Sequence, residues 1–166
     1  ERNYYTLVTS GMGAHRMNVP KELAEYKLER AEIVVYLPAD WNISDHEEKN
    51  YWPLRWLKIL ARLPLEEDSW LGWGHSVPNG KPFAENTQLS SVLLINPENV
   101  EEGAAVCQLP NGEEVNFYQM IPLYEEEVNF KIQNGAETLL GKMGEISAVV
   151  DIHRLNVCEG FGRPKE

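Results

Sequence analysis

The residues best suited to chemistry lie in one glycine-rich segment, residues 66–75, with the sequence EEDSWLGWGH. It combines the carboxylate of Asp68, the indoles of Trp70 and Trp73, and the imidazole of His75. An imidazole beside a carboxylate is a pairing that hydrolases use for general acid–base catalysis. Tryptophan instead supplies a large, rigid contact surface, which is typical of protein interfaces. The segment therefore indicates either a catalytic pair or a binding loop.

A second group of candidates begins a predicted helix at Tyr124. The acids that follow suit a basic partner, although acids in a first helical turn also stabilise the positive end of the helix dipole. The two tryptophans have a similarly plain alternative as core side chains, and self-association through them is a third interpretation. We call the glycine-rich segment the central segment, and we expect it to border one groove with residues 124–127. The candidate protein-binding residues are Asp68, Trp70, Trp73, His75, Tyr124, Glu125 and Glu126.

Sequence templates of enzymes and metal sites are absent. Neither Gly11-Met12-Gly13 nor Gly72-Trp73-Gly74 continues as a dinucleotide fingerprint, and there is no phosphate loop or nucleophile elbow. The four histidines lack H-x-x-x-H spacing, and Cys107 and Cys158 lack the spacing of metal ligands. We therefore predict no catalytic residue, no metal and no cofactor, and keep as the alternative a hydrolase using His75 with a nearby carboxylate such as Asp68.

The charge of the chain limits its partners. Its 166 residues carry a formal net charge of -11. Such a chain repels nucleic-acid phosphates and anionic membranes, so we expect neither as a partner. Clustered acids would favour a basic protein as partner, whereas acids spread over the surface would only aid solubility. No apolar run approaches the ~20 residues that span a bilayer. Two cysteines make no disulfide scaffold, which favours a reducing, cytoplasmic location.

The hydropathy pattern predicts the elements that hold these candidates. Period-two and apolar runs predict strands at residues 4–9, 31–37 and 89–95, a hairpin of 104–109 with 114–121 around Asn111-Gly112, and a last strand at 148–152. Helical spacing predicts helices from Pro20, at 52–63, from Tyr124 and from Ala136. Residues 40–51 and 70–88 are predicted loops, Pro122 is expected to end its strand, and Glu127 is expected to pair with Lys131.

The predicted fold class is therefore α/β (α+β). It is a mixed β-sheet of about five or more strands with three to four helices packed on it. We expect a single domain over residues 1–158 and a flexible C-terminal tail at 159–166.

Several segments, taken in order, resemble the Suppressor of fused (SUFU) domain family. They are residues 4–12 (YYTLVTSGM), 37–41 (LPADW), 55–58 (RWLK), 60–64 (LARLP), 70–80 (WLGWGHSVPNG), 82–84 (PFA) and 119–127 (QMIPLYEEE). Each is short, but the ordered set covers roughly residues 4–143. The family's closing Asp-Pro-x-Arg-Pro-like segment is only partly matched, by Asp151 and Arg154. The chain is similar to the single-domain bacterial members of the family.

The resemblance implies a mixed α/β domain that binds a polypeptide. Bacterial members of the family are proposed to act as immunity proteins that neutralise a toxin, and an acidic surface suits a basic one. The function expected is that of a non-enzymatic protein-binding module whose oligomeric state stays open.

Overall fold

The computed structural model describes residues 3–98, 100–144 and 148–162. Within them lie six strands: β1 Tyr4–Val8, β2 Arg30–Pro38, β3 Ser76–Pro78, β4 Ser91–Ile95, β5 Val106–Gln108 and β6 Glu114–Leu123. They form one sheet in the order β1-β2-β6-β4-β3, with β5 also paired to β6. The mixed sheet predicted from the sequence is thus confirmed.

Three α-helices are found in the same described ranges: α1 Glu48–Glu66, α2 Glu125–Asn134 and α3 Ala136–Met143. Two 3-10 helices, Met12–Ala14 and Lys21–Tyr26, precede β2. The second of these replaces the α-helix expected from Pro20. None of the described helices combines the length and the apolar character that crossing a membrane demands.

Strand β6 is the centre of the sheet because it contacts three other strands. It runs parallel to β2, with Ile33 opposite Tyr118, and antiparallel to β4 and β5. Strands β4 and β5 both pair with the side of β6 that faces away from β2. Strand β5 pairs near the start of β6, and β4 pairs near its end. The turn of the β5–β6 hairpin places Gly112 at a φ of 84°, which confirms the predicted Asn-Gly turn.

The sheet is covered on both faces. Alternate residues of β4 point to opposite sides, so Val92 and Leu94 pack in a cluster with Trp52 of α1. Leu93 instead packs with Leu139 of α3 in a second cluster. All five β4 residues are buried, which explains why this strand is a continuous apolar run.

The main differences from the expected elements lie at four places. Strand β3 lies inside the predicted loop 70–88 and has only three residues, too few to show a period. Helix α1 begins at Glu48, so Pro53 is its sixth residue. Residues 148–152 contribute one isolated bridge, from Val149 to Tyr36. Strand β6 continues through Pro122 to Leu123.

Pro122 is tolerated inside β6 because of the direction in which it faces. Its carbonyl accepts a hydrogen bond from Arg154 at 2.9 Å. The side of the residue that lacks an N–H therefore faces away from β4, and no bond of that ladder is lost. The expected tail from residue 159 remains a prediction: Phe161 packs edge-on against Phe130, and residues 163–166 lie outside the described part.

Candidate functional site

A groove of about 790 Å³ gathers three of the candidate residues. It is lined by Pro78 at the end of β3, by residues 80–82 of the following loop, by one face of α2, by the start of β4, and by residues 154–156 and 159. Tyr124, Glu125 and Glu126 all line it. We call this feature the acidic groove.

The α2 wall of the acidic groove is held by a buried ion pair. Glu127 is fully buried, and its two carboxylate oxygens accept hydrogen bonds from the Arg154 guanidinium at 2.6 and 2.5 Å. The backbone N–H groups of Tyr124 and Val157 donate to the same carboxylate. A bidentate pair with further donors is the geometry in which buried charges are tolerated. It joins the start of α2 to the C-terminal segment.

This pairing corrects the expected Glu127–Lys131 pair. Lys131 donates instead to the Ser76 hydroxyl at 3.1 Å, which ties α2 to β3. Burial lowers the pKa of Lys131. A helical spacing of four residues allowed the local pair, but the Arg154 guanidinium offers Glu127 two aligned donors.

Tyr124 contributes mainly to the packing of the α2 wall and less to the groove surface. Its hydroxyl donates to the Arg154 carbonyl at 2.6 Å, and its ring lies 5.0 Å from the guanidinium carbon. Burial raises the pKa of Tyr124, against the opposing effect of the Arg154 charge. Tyr124 is half-buried, and its hydroxyl already has a hydrogen-bond partner within the protein.

The charges on the groove surface are mainly negative. Glu125 and Glu159 are exposed, and half-buried Glu126 accepts a hydrogen bond from the Asn156 amide at 3.0 Å. Two cations line the groove: Arg154, which is paired with Glu127, and Lys81, which lies on the loop after β3. The α2 and C-terminal side of the groove is thus acidic.

The groove also contains exposed apolar surface. Ile132 and Leu155 line it with 70% and 85% of their surface accessible, the highest values among the large apolar side chains that the structure describes. Isolated exposed apolar residues are common, and the presence of two in one concave site makes the acidic groove the candidate binding surface. Ile132 belongs to the helix predicted from Tyr124, whereas Leu155 lies in a segment for which no element was predicted.

His75 and Trp70 form a packed pair in the central segment. The His75 ring meets the Trp70 ring edge-on, with centroids 4.4 Å apart, and its Nδ1 accepts a hydrogen bond from the Gly72 N–H at 3.3 Å. Trp70 packs against the core on the α1 side of the sheet. Burial is the main cause that lowers the pKa of His75; the hydrogen bond with the Trp70 backbone opposes it, and the Lys131 charge adds to it.

Asp68 does not join this pair. It is exposed in a turn with a φ of 46°, and its carbonyl accepts a hydrogen bond from Asn18. In the described part of the chain, no hydrogen bond or ion pair connects it to His75. The Asp68–His75 form of the hydrolase interpretation is therefore not seen in these residues.

Trp73 lies at a different depression, of about 340 Å³, lined also by Ile121, Leu140 and Met143. Its side chain is 39% exposed. We expected one groove bordered by the central segment and residues 124–127, but Trp73 does not line the groove that contains Tyr124. Pro78 and Gly80, at the end of the family-like segment 70–80, line the acidic groove instead.

The described ranges contain no group of three or more His, Cys, Asp or Glu side chains that could hold a metal ion. Both cysteines are free: Cys107 is exposed, and Cys158 is buried in the cluster beside α3. Burial raises the pKa of the Cys158 thiol, which favours its neutral, less reactive form.

Comparison with known proteins adds a family to this geometry. An uncharacterized protein of Ureaplasma parvum serovar 3 is 28% identical over 155 residues, which are 93% of this chain and 74% of the relative. A SUFU homologue from Neisseria gonorrhoeae FA 1090 superimposes with a TM-score of 0.64 at 19% identity, over 93% of this chain and 71% of the other.

Two further structures share the fold at 15% identity and a TM-score of 0.66. One is the Sufu–Fu complex, matched over 93% of this chain and 70% of the other, and one is Drosophila Suppressor of Fused, matched over 93% and 39%. At this identity the likeness shows the fold alone. The model of the Suppressor of fused protein (SUFU) family matches residues 1–155. The chain therefore belongs to the SUFU family.

Proposed function

We propose that this SUFU domain is a non-enzymatic protein-binding module that holds its partner in the acidic groove. The observation that carries the proposal is the pair of highly exposed apolar side chains, Ile132 and Leu155, beside an acidic wall in one concave site. Burying such side chains against a partner removes apolar surface from water, which is the main favourable term in protein association.

The groove is suited to binding because its wall is already ordered. The buried Glu127–Arg154 pair joins α2 to the C-terminal segment, and Lys131 joins α2 to β3. A site that is fixed before binding loses less conformational entropy when the partner arrives. The proposed domain includes residues 1–158, with 159–166 as its tail.

The proposed partner is a basic protein. The net charge of -11 and the acidic wall favour and steer a positively charged surface. A structure with this fold is that of a Sufu–Fu complex, which supports protein binding as the class of function. The more specific form of the proposal is an immunity protein that neutralises a basic toxin in the cytoplasm.

The hydrolase alternative has no specific support. The His75 Nδ1 is engaged by the Gly72 N–H, and Asp68 makes its described contact through its carbonyl to Asn18. A general base needs a partner that orients it and a free nitrogen that reaches the substrate. We therefore propose no catalytic role for His75.

A pull-down from the source organism's lysate tests the proposal. The wild-type domain and the double variant Glu125→Lys/Leu155→Asp are used as bait, with Glu137→Lys as the control, since Glu137 is an exposed acid of α3 outside the groove lining. We expect one basic protein to be captured by the wild type and the control and lost with the double variant. A partner captured equally well by all three baits would contradict binding in this groove.

A further inference from the structure

We infer that the acidic groove binds a short linear segment of its partner, in which a Lys or Arg side chain lies three positions from an apolar side chain. This inference rests on the proposed function and adds the chemistry of the bound segment. It follows from the size of the groove, the order of residues along α2, and the charges that remain available.

The groove is too small for a broad interface. Seventeen residues line it. A standard protein–protein interface uses ~20–30 residues on each side. A concave site with two apolar contacts is instead typical of proteins that capture a short peptide segment. The occupant is therefore a linear segment, and the rest of the partner extends outside the groove.

The spacing of the segment follows from α2. Glu125, Asn129 and Ile132 all line the groove and are separated by four and then three residues, which places them on one helical face. At ~1.5 Å per residue, Glu125 and Ile132 are about 10 Å apart along the helix axis. An extended or polyproline-like chain covers that distance in about three residues.

The charges of the groove determine which end of the bound segment lies near Glu125 and which lies near Ile132. Glu125 is exposed, so its carboxylate is available to a basic side chain, with exposed Glu159 as a second acid of the same lining. Of the two cations that line the groove, Arg154 is neutralised by Glu127, and Lys81 lies on the loop after β3 and not on the α2 wall. Charge-assisted hydrogen bonds to a carboxylate are stronger than neutral ones. The basic residue therefore lies near Glu125 and the apolar residue near Ile132, with Leu155 covering a neighbouring apolar side chain.

The test uses an acetylated and amidated peptide, Leu-Ala-Pro-Arg-Pro-Ala-Leu. It presents a Leu three positions from the Arg on both sides, so either chain direction satisfies the spacing. The peptide is titrated into the isotopically labelled domain, and amide chemical shifts are followed by NMR. We expect saturable shifts at Glu125, Ile132 and Leu155, and at least a tenfold weaker affinity when the Arg is replaced by Gln or both Leu by Ser.

Variants of the domain complete the test. Glu125→Gln/Glu159→Gln should weaken peptide binding at least tenfold, and Glu137→Gln should leave it unchanged. Affinity that is equal for the Arg and Gln peptides, or shifts located away from the groove, would overturn the inference. If the peptide fails to bind while capture of the partner still depends on Glu125 and Leu155, the linear-segment inference falls and the proposed function stands. Capture that is independent of the groove removes both.

Discussion

At the scale of single residues, the clearest contrast is between two ion pairs of the same type. The Arg154–Glu127 side chains are 9% and 0% exposed, whereas those of Arg55–Glu48 are 50% and 45% exposed. Removing one member of a buried pair leaves a charge without its counter-charge in a region that excludes water. The exposed pair loses little because water and salt screen it.

We therefore expect Arg154→Ala to lower the free energy of unfolding by about 3–5 kcal/mol. The matched Arg55→Ala variant should lower it by no more than about 1 kcal/mol. Urea unfolding followed by tryptophan fluorescence measures both. Equal losses for the two variants would show that the Glu127–Arg154 pair does not hold the α2 wall.

His75 predicts a pH dependence of stability. Because burial lowers its pKa in the folded protein below the ordinary 6.5, the unfolded chain binds the proton more tightly. The contribution is zero above the unfolded pKa, and folded-state stability falls as the pH drops below it. We expect the wild type to lose more stability than His75→Gln between about pH 7 and pH 5.5. Parallel pH profiles for the two proteins would refute this role of burial.

At the scale of elements, two glycines have opposite roles. A Cβ atom added at Gly72 would lie 2.6 Å from the Trp70 ring, whereas one added at Gly141 in α3 would meet nothing within 4 Å. Gly72→Ala therefore displaces the ring that contacts His75, at an expected cost of about 1–3 kcal/mol. Gly141→Ala should stabilise the protein by about 0.5–1 kcal/mol, since alanine favours a helix.

Thermal unfolding of the two alanine variants checks that expectation. A Gly72→Ala protein as stable as the wild type would mean that the Trp70 ring is not fixed by its close contact with the backbone. The Gly141→Ala variant controls for the general effect of adding a methyl group, because it changes the same atoms at an open position.

The sequence predicted most elements but not their exact extent. The Asn-Gly turn and the apolar run of β4 depend on local patterns, so both were found. Strand β3 was missed because three residues show no period, and α1 was begun too late because Pro53 was placed in its first turn. The carbonyl that Pro53 leaves without a helical partner is that of Lys49, which is exposed to water.

The sequence predicted only those residues of the candidate site that lie together in one helix. Glu125 and Glu126 line the groove as members of α2, but Trp73 lies at another depression. Arg154 contacts Glu127 across 27 residues of chain, and Leu155 follows it into the groove. A helical period cannot reveal a contact made by a segment with no regular structure.

At the scale of the whole molecule, the net charge of -11 sets how the partner approaches. Attraction between oppositely charged surfaces raises the association rate and is screened by salt. We expect the association rate of the captured partner to fall as salt rises from about 50 to 300 mM, with a smaller change in the dissociation rate. Surface plasmon resonance separates the two rates, and an association rate insensitive to salt would exclude electrostatic steering.

Site-specific photocrosslinking tests the central claim, binding of a protein in the acidic groove, most directly. A benzoylphenylalanine replaces Leu155 in the groove or, as a control, Leu65 at the exposed end of α1. Both positions are exposed, so both probes meet solvent. We predict that, in the source organism, Leu155 crosslinks to one basic protein that Leu65 does not reach. Crosslinks to that protein from Leu65 alone, or to none from Leu155, would contradict the account.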